Sequence, residues 1–466
     1  MINSKFFRWF QIKDHSYGES YLSILKYFYP ECITALILYS LPYFVDSYFI
    51  GSLKSTSLYT ISGIVDNFLT LLIKSAEGFS IGVVVIAGWH NGSKLYKKVG
   101  QTFVEAFWTI FFLGGIMSGV IYLSVPYIYE WFNFPPDMID QGALYFKLKA
   151  IALFFMFIFF LVVGFLRAIK NTVVPMILFA VGSVVFIISD YALIFGKFGL
   201  PALGLNGSAI AYCIQYIVMA CLAMIYVLFF AVNKKYQISL FSRFINWETM
   251  LMLFAISGPI VVDKVVMASA YVWLARLLSH LGGNVMASFS LIKLMERFAF
   301  IPAIGFAQVI TFLVSNDLGR GAWRDINVNI KRVIYVSTCM VGVTLLAGSL
   351  HPQWFISFVD QRGDFGGLVA QIFPSLSILV FLDLLQLILS GALRGAGAVN
   401  IVMWTRICVI VGFFMPISYI ISCIPMESVA LKFFLIYGSF FLGNGLMSVL
   451  YIKWLMQGKV KEVKNG

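Results

Sequence analysis

The chain has 466 residues, of which 61% are hydrophobic and only 12% charged, and its net charge is +12. A soluble domain carries about 25% charged residues, so this chain cannot hide its apolar surface from water by folding on itself and belongs in a bilayer. The excess of Lys and Arg does not point to nucleic acid, because those residues lie between apolar runs rather than in one patch.

Residues 1–30 form a polar and aromatic N-terminal segment with Lys5, Arg8, Lys13 and Lys26, and no cleavable signal peptide is read there. Its Phe-Phe-Arg-Trp-Phe stretch, ending at Phe10, suits either the membrane interface or a mobile tail. Twelve apolar runs follow, at about 31–53, 60–88, 102–128, 142–166, 173–196, 205–232, 248–279, 285–315, 330–350, 368–393, 400–422 and 430–456. Each reaches the roughly 20 residues needed to cross about 30 Å of hydrocarbon, and each must satisfy its own backbone hydrogen bonds there, so all twelve are predicted helices.

The predicted domains are an N-terminal cytoplasmic segment (1–30), a six-helix bundle (31–232), a cytoplasmic linker (233–247), a second six-helix bundle (248–456) and a cytoplasmic tail (457–466). About 21 Lys and Arg fall in the termini and the even-to-odd loops, and about six, counting Lys147 and Lys149, in the opposite loops. Both termini are therefore expected in the cytoplasm.

The halves also look duplicated. Leu166-Arg167 recurs as Leu393-Arg394 at an offset of 227, as does Gly78-Phe79 at Gly305-Phe306, and Pro30 and Pro259 open the first and seventh spans. Six spans per half means both halves start on the same side. The predicted fold class is an all-α polytopic membrane protein, two six-helix bundles related by a pseudo-two-fold axis along the membrane normal with a cavity between them.

A charge at mid-bilayer costs about 2.5–3.5 kcal/mol on insertion scales, so ionisable residues inside spans are the functional candidates. Asp46 lies four residues after Pro42, whose missing N–H leaves the Leu38 carbonyl free and can kink the helix. The alternative is an acid solvated at the outer interface. Asp190 follows a long apolar run, with Ser183 and Ser189 as possible hydrogen-bond partners; otherwise it is a structural acid bonded to a neighbouring helix. Asp383 and Gln386 are three residues apart and share a helix face, which by itself is a helix-packing pair.

Lys74 and Glu77 can pair on the second span, and Lys293, Glu296 and Arg297 do something similar on the eighth. They are local neutralised pairs or the lining of a mixed-charge cavity. Asp66 and Asp263-Lys264 are expected nearer the interfaces, where snorkelling relieves the cost. Arg167 and Arg394 read as loop anchors.

Enzyme chemistry finds little support. The four histidines are scattered, and no HExxH, phosphate-binding GxxxxGK[ST] or CxxC is present, so neither a catalytic residue nor a resident metal or cofactor is expected. The six cysteines lie in or beside apolar runs with no metal or disulfide spacing.

Five stretches resemble the multidrug and toxin extrusion (MATE) family, within the multidrug/oligosaccharidyl-lipid/polysaccharide exporter superfamily. They are Val45-Asp46 through Leu53 at the end of the first span; LRAIKNTVVPM, Leu166 to Met176; and Asp190 followed by Gly196, Gly199, Pro201, Leu203, Gly204, Gly207 and Ala209. The other two are Pro302, Gly305, Leu313, Val314, Asn316 and Gly319, and then Asp383, Gln386, Gly391, Leu393, Arg394 and Gly395. Two positions depart from the family pattern: Phe186 stands where it has an asparagine, and Tyr212 where a threonine is common.

The resemblance implies a secondary transporter, an antiporter that exports a small organic molecule while H+ or Na+ enters. Asp46, Asp190, Asp383 and Gln386 would be the coupling-ion candidates, and Lys74, Glu77, Lys293, Glu296 and Arg297 the cavity candidates. It also leaves open a flippase of a lipid-linked or polar glycan precursor. Expected partners are the small-molecule substrate and membrane lipids, not nucleic acid, with the chain a monomer in a bacterial inner (cytoplasmic) membrane.

Overall fold

The computed structural model describes residues 9–12, 16–39, 41–131, 136–241, 246–360 and 366–457. Lys5, Arg8, Lys13, Arg243, Arg362, Lys459, Lys461 and Lys464, all used above to orient the chain, lie outside them. The described residues are helical, with no strand among them. In order the helices are α1 (Tyr21–Tyr39), α2 (Leu41–Gly51), α3 (Thr56–Gly92), α4 (Tyr96–Trp131), α5 (Pro136–Ala168), α6 (Val173–Phe195), α7 (Leu205–Phe229) and a short α8 (Ala231–Tyr236). The rest are α9 (Trp247–Ser279), α10 (Gly283–Arg320), α11 (Trp323–Leu350), a short α12 (Pro352–Val359), α13 (Gly366–Gly395), α14 (Val399–Val409), α15 (Met415–Cys423) and α16 (Val429–Met456).

Eleven helical segments are long and apolar enough to cross a membrane, counting α14 to α15 as one; α1 and α2 supply the segment predicted as the first span. The all-α, twelve-span prediction thus matches the structure. The kink expected at Pro42 abuts Ser40, which lies outside the described residues.

The eleventh span is not the uniform helix predicted. A π turn, Ile410–Phe414, joins α14 to α15, and the Met415 N–H reaches back five residues to the Ile410 carbonyl. Pro416 follows immediately and cannot donate to the Gly412 carbonyl, so the ladder slips by one residue at this point.

The chain forms two compact units, Tyr29–Val261 and Met1–Phe28 with Val262–Gly466, called here the first and second units. The first is organised on α5, buried from Met156 to Ala168 and packed against α3, α4 and α7. The second is organised on α13, buried from Ile388 to Gly395 and packed against α10, α11 and α16. α5 and α13 hold the repeated Leu-Arg pair.

The repeat is also physical. A Cβ on Gly164 would lie 2.5 Å from the Ser80 carbonyl oxygen, and one on Gly391 would lie 2.8 Å from the Ala307 carbonyl oxygen. Each residue of the first contact lies 227 positions before its counterpart in the second, so each unit needs glycine at the same crossing of its central helix.

The N-terminal segment docks on α11 within the second unit. Tyr335 and Lys331 donate to the Phe10 and Gln11 carbonyls at 2.5 and 3.0 Å. The Gly18 and Glu19 N–H groups donate to Asp325 and Asn329 at 2.9 and 2.7 Å.

Candidate functional site: buried charges in each unit

In the first unit Asp46, Asp66, Lys149 and Asp190 converge from α2, α3, α5 and α6. The Lys149 ammonium is 2.6 Å from Asp66 Oδ1 and 3.9 Å from Asp46 Oδ2. Ser208, at the start of α7, donates to Asp46 Oδ1 at 2.7 Å. Gly196 ends α6 at a φ of +66°, a conformation glycine adopts without strain, and leads into the turn that returns the chain as α7. That turn is how the glycine-rich stretch brings Ser208 beside the acids.

The rings of Tyr145 and Tyr212 face the ammonium at 4.5 and 5.3 Å. Asp190 is fully buried (0% exposed), interacts electrostatically with Asp46 and Lys149, and has no hydrogen-bond partner on either carboxylate oxygen.

Lys149, counted above as a loop residue, is 2% exposed and lies on the first unit's central helix. Asp46 is 7% exposed, which excludes a solvated position. Asp66 is not relieved by snorkelling; it is bonded to Lys149. Neither Ser183 nor Ser189 bonds Asp190, and Ser183 is buried without a partner. Phe186, one turn before Asp190, packs with Leu193 and Ala211 and offers no polar atom. On α3, Lys74 and Glu77 do pair, the ammonium reaching both carboxylate oxygens at 3.1 Å.

In the second unit Asp383 does not bond Gln386. It accepts from Asn444 Nδ2 on α16 at 2.9 Å, while Gln386, 1% exposed, lies beside Tyr451 with its Nε2 unpartnered. Lys293 and Glu296 do not repeat the Lys74–Glu77 pair. The Lys293 ammonium sits 3.8 Å over the Tyr271 ring, Glu296 accepts from Tyr437, and Arg297 is exposed. Glu296 Oε1 has no partner.

Asp263 is 2% exposed and is not at an interface: Arg394 donates to it at 2.5 Å and Arg406 donates to its other oxygen. Arg394 and Arg167 are therefore not loop anchors. Arg167 holds Glu31, 1% exposed, through two hydrogen bonds of 2.8 and 2.7 Å. In each unit the repeated arginine reaches an acid that follows the repeated proline, Glu31 after Pro30 and Asp263 one turn further on after Pro259.

Sequence reasoning missed Lys149, Ser208, Glu31, Arg406, Tyr437 and Asn444. Lys149 and Arg406 stand inside predicted spans, where a lone cation demands a buried acid as partner. That signal was available for both. For Ser208, Tyr437 and Asn444 no signal existed, since small polar residues are common in spans.

Among the described residues no group of His, Cys, Asp and Glu is arranged to hold a metal ion by those side chains. The clusters are carboxylates held among fixed cations, hydroxyls and an amide.

The MatE family model matches residues 32–192 and again 259–420. This chain is a member of the MATE family. The two matches begin 227 positions apart, the offset of the repeat. The MATE chain is 21% identical over 359 residues to a probable multidrug resistance protein, YoeA, of Bacillus subtilis (strain 168), with 76% of each chain covered. It is 24% identical over 393 residues to a probable multidrug resistance protein, NorM, of Synechocystis sp., covering 81% of this chain and 83% of that one. A crystal structure of MATE in the bent conformation superposes with a TM-score of 0.85 at 16% identity, over 95% and 96% of the two chains. An outward-facing multidrug resistance MATE family transporter of the MOP superfamily gives 0.86 at 14% over the whole of both. Being of this family, the protein is an integral membrane transporter and not an enzyme.

Proposed function

We propose that the protein is a secondary active antiporter that exports small, drug-like organic molecules by alternating access while H+ or Na+ enters. Its place would be a bacterial cytoplasmic membrane, as a monomer surrounded by lipid with both termini in the cytoplasm. The observation that carries the reading is Asp190: a carboxylate with 0% exposure and no hydrogen-bond partner, beside Asp46 and Lys149, inside a membrane-spanning unit. A buried carboxylate with no hydrogen-bond partner is costly there unless it takes up a proton or cation in the working cycle. The multidrug resistance names of its relatives favour organic substrates.

The test is efflux of a cationic dye from proteoliposomes under separate proton and Na+ gradients. Asp190→Asn and Asp383→Asn should each slow gradient-driven efflux at least tenfold while the protein still inserts. Wild-type rates in both variants would remove these acids from the coupling step.

A flippase of a lipid-linked or polar glycan precursor is the second reading, favoured by Lys74, 29% exposed beside Glu77. Lys74→Glu should then alter envelope integrity in cells, whereas under the exporter reading it alters drug tolerance.

A further inference from the structure

We infer that Lys149 is a tethered cation: its ammonium holds the place among the first unit's carboxylates that a metal cation would otherwise take, so this unit exchanges protons and not Na+. The inference deepens the antiporter reading and rests on it for its consequence in transport. Its consequence for ion binding stands without it.

The groups around the ammonium, with the hydroxyl that shares Asp46, come from five helices. They are Asp46 on α2, Asp66 on α3, Tyr145 on α5 itself, Asp190 on α6, and Ser208, Tyr212, Cys213 and Tyr216 on α7. Three are carboxylates and one cation is fixed among them. Asp66 is committed to Lys149 at 2.6 Å, and Asp46 is shared between Lys149 and Ser208. Only Asp190 keeps both oxygens free.

A bound alkali ion needs several oxygens around it at once. Here the ammonium already faces two of the three carboxylates and would repel a second cation a few ångströms away. The residue one turn before Asp190 is Phe186, buried among apolar side chains, so that direction supplies no oxygen either. A proton needs only one lone pair. It can bind Asp190 from one side of the membrane, forming one O–H bond, and leave from the other side by breaking that same bond, with no change of oxidation state. Lys149 acts through the acids it holds, so it is a positioning residue.

The test has two arms. Purified wild-type protein, Asp190→Asn, Lys149→Gln and Lys149→Arg are equilibrated in detergent with radiolabelled Na+. The second unit's acids are the same in all four, so the difference between wild type and Asp190→Asn isolates the first unit. Wild type and Lys149→Arg should bind no more Na+ than Asp190→Asn, whereas Lys149→Gln should gain about one bound ion per chain, lost again in Lys149→Gln with Asp190→Asn. In proteoliposomes, Na+ should leave proton-driven dye efflux of the wild type unchanged, while efflux by Lys149→Gln should become Na+-dependent.

Na+ binding by the wild type that Asp190→Asn abolishes would overturn the inference, even if Lys149→Gln fails to fold. So would a folded Lys149→Gln that binds no more Na+ than wild type. If the binding results come out as expected but no dye moves under either gradient, the tethered cation stands and the exporter reading is what fails.

Discussion

Arg167 and Glu31 are buried together, as are Arg394, Arg406 and Asp263, and each acid offsets the cost of burying the arginine it bonds. Removing one member of a buried pair costs about 3–5 kcal/mol, whereas replacing both by well-packed apolar residues is often neutral or stabilising. Arg167→Met should therefore lower the thermal unfolding midpoint in detergent sharply, and Arg167→Met combined with Glu31→Met should recover most of it. Equal midpoints for the single and double variants would show that the pair does not act as a unit. Acids well inside the spans were legible in the sequence, because an apolar run makes a charge conspicuous, whereas Glu31, at the edge of the first run, was not. Their partners were not. Lys149 was counted toward loop charge and Asp263 assigned to an interface, because composition shows that a residue lies in a span but not which neighbour it faces. Asp383 illustrates the same limit: Gln386 is its neighbour along the helix, yet the group that reaches it is Asn444, 61 positions away.

Helix positions follow from the run lengths alone, and helical segments lie over each of the twelve runs, the first divided between α1 and α2 and the eleventh between α14 and α15. What the runs do not encode is how closely two helices cross. Gly164 against Ser80 and Gly391 against Ala307 leave no room for a side chain, because the nearest atoms are backbone oxygens on a neighbouring helix that cannot turn aside. Gly164→Val and Gly391→Val should each destabilise by about 1–3 kcal/mol or more through overpacking. Gly119→Ala on α4, where a Cβ meets nothing within 4 Å, is the control and should stay near wild type. Folded yield by size-exclusion chromatography and the unfolding midpoint read both effects. An unperturbed Gly391→Val would mean that the α10–α13 crossing relaxes freely. The π turn at Ile410–Phe414 was illegible for a related reason. Pro416 signals a lost hydrogen bond, but not whether the helix answers by kinking or by slipping one residue.

At the scale of the whole chain the repeat preserves what builds each unit and not the buried charges each unit carries. Glycine at the crossing and arginine at the end of the central helix recur at 227 positions, while Asp46, Lys149 and Asp190 have no acidic or basic counterparts at that offset, and Asp383 falls opposite Met156. The packing boundary also runs inside a helix: Trp247–Val261 of α9 belongs to the first unit, although it follows the polar linker in sequence. There Gly78 and Gly82 of α3 bring its backbone against Val261 and Ser257, and Phe79 meets Phe254 edge-on at 5.5 Å. A fragment ending at Phe241 would leave that face of α3 uncovered, exposing glycines whose only role is close approach. Residues 1–241 expressed alone should therefore be degraded or aggregate, a fragment extended to residue 266 should be markedly more protease-resistant, and co-expression of 1–241 with 242–466 should restore a folded complex. Limited proteolysis in detergent reads all three. Equal resistance of the 1–241 and 1–266 fragments would show that the first half of α9 does not complete the first unit.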